Sequence, residues 1–166
     1  MVTADGTLSF EGKAYQCALG WGGVRQDKRE GDGATPVGCF PVLKVFYRAD
    51  RLKAAPRSVF PTAALSEHDA WSDDVSCPEY NTHVTLPYEG SHEKLWRSDC
   101  AYDIVVALGY NDAPALPGKG SAIFMHVSRD GYPPTDGCVA LAESDLLALL
   151  AVLGVDSRIC IESQNG

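Results

Sequence analysis

The sequence predicts a mainly β domain, a sandwich or an open barrel, with one helix in its C-terminal half. Short runs rich in β-branched and aromatic residues recur along the 166-residue chain, bounded by glycine- and proline-containing turns. Only residues 143–153 carry apolar positions at helical spacing. There is no strand–helix–strand alternation and no internal repeat, which argues against a doubly wound parallel sheet and against a solenoid.

Taken in order, residues 7–10 and 14–19 flank Glu11, Gly12 and Lys13 and read as strand, turn and strand. Residues 20–38 are polar and glycine-rich. Residues 39–48 suit a strand, with Pro41 pointing to an edge or a strand start because it has no N–H to give the ladder. Residues 49–100 show weak periodicity and scattered prolines, histidines and aromatics. That is long for a structureless connection, so a single domain spanning residues 1–166 is expected, with a loop-rich functional insertion here. Residues 102–109 and 122–127 read as two buried strands joined by a proline- and glycine-containing loop. Glu143, Ser144 and Asp145 supply capping and acidic first-turn residues for the helix, whose leucine face stops at Gly154. Residues 158–162 form a last strand.

An apolar content of 45% marks a globular chain, and a formal charge of −8 argues against nucleic acid as the partner, since phosphate binding needs a basic surface. Residues 1–5 have no basic n-region and no apolar stretch follows, so no secretory leader is expected, and residues 146–153 are too short an apolar run to cross a bilayer. The six cysteines are widely spaced without a CxxC, which argues against a zinc site of paired ligands; most read as small buried hydrophobes. Were Cys138 a nucleophile, the remaining five could not all pair within the chain.

Chemistry concentrates in residues 123–141, IFMHVSRDGYPPTDGCVAL. His126 leaves an apolar strand, and Cys138 re-enters structure behind a glycine twelve residues later. A free thiol has a pKa of about 8.5, so a nucleophilic cysteine needs a neighbouring base to take its proton. Gly131, Pro133, Pro134 and Gly137 allow the loop to fold back, and Gly137 permits a turn that would aim the Gly137 and Cys138 N–H groups at one point. Such an oxyanion hole is worth roughly 3–4 kcal/mol per donor. The competing reading is a strand histidine satisfied by a carbonyl and a merely buried cysteine. Asp136 disfavours the thiolate unless it points away or pairs with a charged His126.

These residues resemble the L,D-transpeptidases with a YkuD-type catalytic domain, whose signature is a strand histidine, a loop, then Ser/Thr-His-Gly-Cys, an apolar residue and commonly Arg or Asn. His126 and Thr135–Asp136–Gly137–Cys138–Val139 fit it with two substitutions, Asp136 for the second histidine and Ala140 for the cationic or amide residue. Further segments match a subgroup of the family: residues 28–38 (KREGDGATPVG), Tyr80–Asn81, Leu95–Trp96–Arg97, Tyr102–Asp103 and residues 120–126 (GSAIFMH). The resemblance covers nearly the whole chain.

It implies acyl transfer on peptidoglycan stem peptides without a metal or organic cofactor. Cys138 would attack the diaminopimelate–D-Ala amide, His126 would serve as base oriented by the Val127 carbonyl, and an amine would resolve the thioester. Water as acceptor, in an L,D-carboxypeptidase or amidase that could serve as an exported effector, and a non-catalytic wall-peptide binding module are the alternatives. With Ala140 unable to hold a substrate carboxylate, Arg97 is the substitute candidate, unless it pairs with Asp99 or Asp103. Trp96, Tyr80, Asn81, Ser121, Thr135 and Asp136 join it as candidate substrate contacts, although Trp71, Asp73, Asp74, Tyr80, Asn81 and Trp96 equally suit a small core of the insertion. The substrate implies the periplasm or cell envelope. Gly118–Lys119 lacks the glycine and Ser/Thr of a phosphate loop, His92–Glu93 lacks the second histidine of a zinc protease, and His68 and His83 read as ordinary surface or loop residues.

Overall fold

The computed structural model describes residues 1–163. Its strands in chain order are β1 (Val2–Thr3), β2 (Thr7–Phe10), β3 (Lys13–Ala18), β4 (Val24–Arg25), β5 (Thr35–Pro36), β6 (Gly38–Tyr47), β7 (Thr62–Ala64) and β8 (Asp69–Ser72). There follow β9 (His83–Thr85), β10 (His92–Lys94), β11 (Ile104–Leu108), β12 (Phe124–Val127), β13 (Val139–Leu141), the helix α1 (Glu143–Leu150) and β14 (Arg158–Glu162). The fold is mostly β with a single short helix. Of the sandwich and the barrel, the barrel forms: the sheet runs β11–β12–β13–β3–β2–β1–β14–β6, and β6 pairs back with β11 to complete the ring.

Local chemistry sets the ring. Phe10 stands opposite Lys13, so Glu11 and Gly12 make a two-residue hairpin turn with φ of 47° and 77°, the doubly left-handed turn whose twist matches the flanking strands. β6 is ten residues long and serves three neighbours, β14 through residues 38–41, β11 through residues 42–47 and the short parallel β7 through residues 45–47. Pro41 sits at that handover, beside the register shift between Ala107 and Leu108, rather than at an edge. Its missing N–H falls where the ladder changes partner. Val2–Thr3 adds a parallel strand against β14, which the short polar N-terminus did not suggest.

The pleat divides the apolar residues between two cores. Ile104, Val106 and Leu108 of β11, Met125 and Val127 of β12, and Val139 and Leu141 of β13 point into the barrel with Leu146, Leu149, Leu150 and Leu153. The alternate residues Val105, Ala107, Phe124 and Cys138 face outward into a second core with Leu65, Trp71, Leu95 and Tyr102. Being buried on both faces is why β11 reads as an unbroken apolar run. The helix begins at Glu143 with Ala142 as N-cap and no side-chain cap, so Glu143 and Asp145 contribute first-turn charge rather than capping. It ends at Leu150, yet Leu153 stays buried.

The second core has a lid of its own. β8 is the centre of a three-stranded antiparallel sheet with β9 and β10, built within residues 69–94. It lies over the outer face of β11 and β12 through Trp71, whose ring meets that of Phe124 edge-on at 5.0 Å. Cys39 and Cys160, opposite one another in the β6–β14 register, form a disulfide, so these two are not simply buried hydrophobes. No helix among the described residues is long and apolar enough to cross a membrane.

Candidate active site

Parallel pairing of β12 with β13 is what joins the histidine to the cysteine. A parallel partner requires the chain to return to the start of the neighbouring strand, so residues 128–138 run back past β12. His126 is in register with Ala140, and Cys138, two residues earlier, shares the face of Ala140. Both side chains line one cavity of about 330 Å³, together with Ala140, Ala122 and Tyr102.

Cys138 is buried, with its thiol donating to Ala122 O at 3.2 Å and accepting from Phe124 N–H at 3.3 Å. Burial pushes the thiol up to about 12; the Glu93 and Asp136 carboxylates act in the same direction, while the Phe124 N–H and Lys28 oppose them. His126 is 9% exposed, and burial pulls its imidazole below the ordinary histidine value, against the Val127 carbonyl. Its Nδ1 lies 2.9 Å from Val127 O. A carbonyl can only accept, so Nδ1 carries the proton and Nε2 presents a lone pair.

The turn into the nucleophile is fixed by close packing. Gly137 has φ of 127°, and a Cβ there would stand 2.7 Å from Ala34 O. The glycine-rich segment of residues 31–38 thus packs directly on the active loop. Thr135 Oγ1 donates to Cys138 O at 2.7 Å and accepts from Gly137 N–H at 3.2 Å. This corrects one expectation: the Gly137 N–H is turned onto Thr135 instead of joining Cys138 N–H at a common point. Hydroxyl competition inside a tight turn is the reason.

The remaining candidates divide. Arg97 lines the cavity and forms a two-bond pair with Asp99, Nε and Nη2 each at 2.8 Å, while Asp103 is taken by Arg51. Ser121, Thr135 and Asp136 line the cavity. Asp136 does not engage His126; its Oδ1 accepts the Trp21 indole N–H at 3.0 Å. Trp96 lies outside the cavity lining and stacks on the Arg48 guanidinium, 3.5 Å from its ring centre.

Tyr80 and Asn81 also stand behind the site. Tyr80 donates to Glu30, which also accepts from Ser121 Oγ at 2.8 Å. Asn81 Oδ1 accepts from Trp71 Nε1 at 2.9 Å and Ala122 N–H at 3.0 Å, and its Nδ2 donates to Tyr110 O and Asn111 O. Buried with these partners, the two residues hold residues 120–122 in place, which is the reading as a core of the insertion rather than as substrate contacts. His83 is an exposed residue that opens β9 and pairs with Asp69.

Sequence reasoning missed Trp21, Lys28, Glu30, Glu93 and Tyr102 as cavity residues. Glu93 accepts from Tyr102 Oη, and burial raises its carboxyl, with Asp73 and Asp136 adding like-charge repulsion. The Tyr102 ring meets the His126 imidazole edge-on at 5.3 Å. Only the matching segments at residues 28–38 and Tyr102–Asp103 hinted at this set. Among the described residues no group of three or more His, Cys, Asp or Glu side chains could hold a metal ion.

A family model described as the L,D-transpeptidase catalytic domain, YkuD, matches residues 2–161. Comparison with curated proteins and with solved structures gave no match.

Proposed function

On the footing that the chain belongs to the L,D-transpeptidase catalytic-domain family, we propose that it is a cysteine acyltransferase of peptidoglycan stem peptides. The observation that carries the proposal is the shared cavity of Cys138 and His126, with the imidazole held in the tautomer that leaves Nε2 free. His126 Nε2 takes the thiol proton as the sulfur attacks the carbonyl of the diaminopimelate–D-Ala amide. Cys138 N–H is the oxyanion donor, since Gly137 N–H is engaged by Thr135. The imidazolium returns its proton to the departing D-Ala amine, leaving a thioester that an amine resolves.

Burial disfavours both charged partners, so the resting pair is neutral thiol and neutral imidazole. At rest the thiol proton points to Ala122 O, and it turns to His126 Nε2 for the attack. Arg97 is the substrate-carboxylate contact of the proposal, with the guanidinium already oriented by Asp99. The Cys39–Cys160 disulfide supports action in an oxidising compartment such as the cell envelope. Incubation with disaccharide-tetrapeptide, resolved by mass spectrometry, tests the reading. Cross-linked dimers are expected; tripeptide alone would mean that water is the acceptor, and an unchanged substrate would count against both.

A further inference from the structure

The catalytic pair makes no use of Trp21, which lines the cavity while remaining 63% exposed. Its indole is nonetheless immobilised. Nε1 donates to Asp136 Oδ1 at 3.0 Å, the backbone N–H donates to Thr135 O at 2.9 Å, and the ring lies so close over Gly33 that a Cβ there would stand 2.0 Å from Cε2. An exposed aromatic plane fixed on the loop that carries the nucleophile contributes little to folding, and large exposed apolar groups at a cavity mouth mark contact surfaces.

Four carboxylates, Glu30, Asp73, Glu93 and Asp136, line the cavity with three cations, Lys28, Arg97 and Arg129, of which Lys28 and Arg97 are paired with Asp32 and Asp99. Glu30 is occupied by two hydroxyls, but Asp73 Oδ1 is buried with no hydrogen-bond partner among the described residues. An aromatic face bordered by carboxylates attracts a desolvated cation through both the ring quadrupole and the charges.

We infer that Trp21 and Asp136 form a subsite for an ammonium group of the peptide substrate, with the indole as its wall and the carboxylate as its counter-charge. This rests on the transpeptidase reading and names the side-chain chemistry that the site selects. Asp136 then has two functions, positioning the indole through Oδ1 and supplying negative charge. An aspartate at this position keeps the indole N–H bonded and adds that charge. The ammonium can belong to the acyl donor, on the side chain of its third residue, or to the amine acceptor, which then gives a proton to neutral His126 Nε2 and attacks the thioester as the free amine.

Two variants separate charge from positioning. Asp136→Asn keeps an oxygen for Trp21 Nε1 and removes the charge; Trp21→Leu keeps an apolar side chain and removes the π face. Thioester formation on Cys138 is followed by intact mass with two donors, a tetrapeptide bearing a free ammonium on its third residue and the same peptide acetylated there. Resolution of the thioester by D-alanine is followed in parallel with hydrolysis by water. If the donor supplies the ammonium, each variant lowers the preference for the charged over the acetylated peptide about tenfold, mainly through KM. If the acceptor supplies it, that preference is unchanged and amine-dependent resolution falls about tenfold relative to hydrolysis. Variants that change neither the charged-to-acetylated ratio nor the amine-to-water ratio overturn the inference. A wild-type protein that forms no thioester with either donor overturns the transpeptidase reading itself, and this inference with it.

Discussion

The Cys138 thiol donates to the carbonyl of Ala122 at 3.2 Å, and that carbonyl is held in place from behind. Ala122 has φ of 53°, a conformation that costs a residue with a Cβ, and its N–H is bonded to Asn81 Oδ1. The resting position of the nucleophile therefore depends on Asn81, a residue that does not line the cavity.

Replacing Asn81 by alanine leaves Trp71 Nε1, the Ala122 N–H and two carbonyls without their partners. Each buried group left unpaired costs about 1–3 kcal/mol, so a loss of roughly 3–5 kcal/mol is expected after partial relaxation. Urea denaturation measures it, and the midpoint should fall with an unchanged slope. A variant as stable as wild type would show that residues 120–122 hold themselves.

The disulfide joins strands 121 residues apart in sequence. In the chain-entropy description a loop of about 100 residues is worth about 4–5 kcal/mol. Cys39→Ser or Cys160→Ser should destabilise the fold by about 3–5 kcal/mol in thermal or urea melts, while the cavity and its thiol reactivity persist in the folded fraction. Stability unaffected by dithiothreitol would contradict the pairing.

The pH dependence follows from His126. Burial lowers its pKa in the folded protein, so the base form dominates at neutral pH, and Cys138 acylation should stay level until the pH drops below the ordinary histidine value of 6.5. The same shift means that the unfolded chain binds the proton more readily, so stability is lost as pH falls from that value through the folded pKa. Cys138 and Cys17, both pushed up to about 12 by burial, act at the other end. Their contribution is full below the ordinary thiol range and is lost as pH rises from there toward 12. Urea midpoints across pH 5–11 check both limbs, and a flat acid limb would argue that His126 is not held neutral.

An accessible nucleophile at the base of this cavity should also be acylated by a carbapenem-type β-lactam. A single adduct on Cys138 is expected by intact mass and peptide mapping, absent in Cys138→Ala. Modification of Cys77 or Cys100 alone, the two less buried free thiols, would show that the cavity does not admit the ring.

How far the sequence could be read varies by the kind of signal. The β class and the buried strand pair were legible because apolar, β-rich runs bounded by turns leave local traces, and the histidine–glycine–cysteine order singled out two residues that line one cavity. Pro41 misled because a proline inside a strand can mark a change of partner as well as an edge. The Cys39–Cys160 pair was hidden, since only the β6–β14 register brings residues so distant opposite one another. Tyr80 and Asn81 suited a groove and a small core alike because polarity does not reveal burial; their partners emerge only from the structure. Trp21 sits in a glycine-rich stretch without periodicity, and what fixes it is a contact with Asp136 across 115 residues.

The central claim is that Cys138 is the nucleophile and His126 its base. Single-turnover intact mass spectrometry with a diaminopimelate-containing tetrapeptide tests it most directly. The wild type should gain the mass of the tripeptide acyl group on Cys138 and release one D-alanine, and His126→Ala should slow that step by about 10²–10⁴-fold while remaining folded. A folded wild-type protein that releases no D-alanine and acquires no acyl mass, or a His126→Ala variant that acylates at the wild-type rate, would contradict the account.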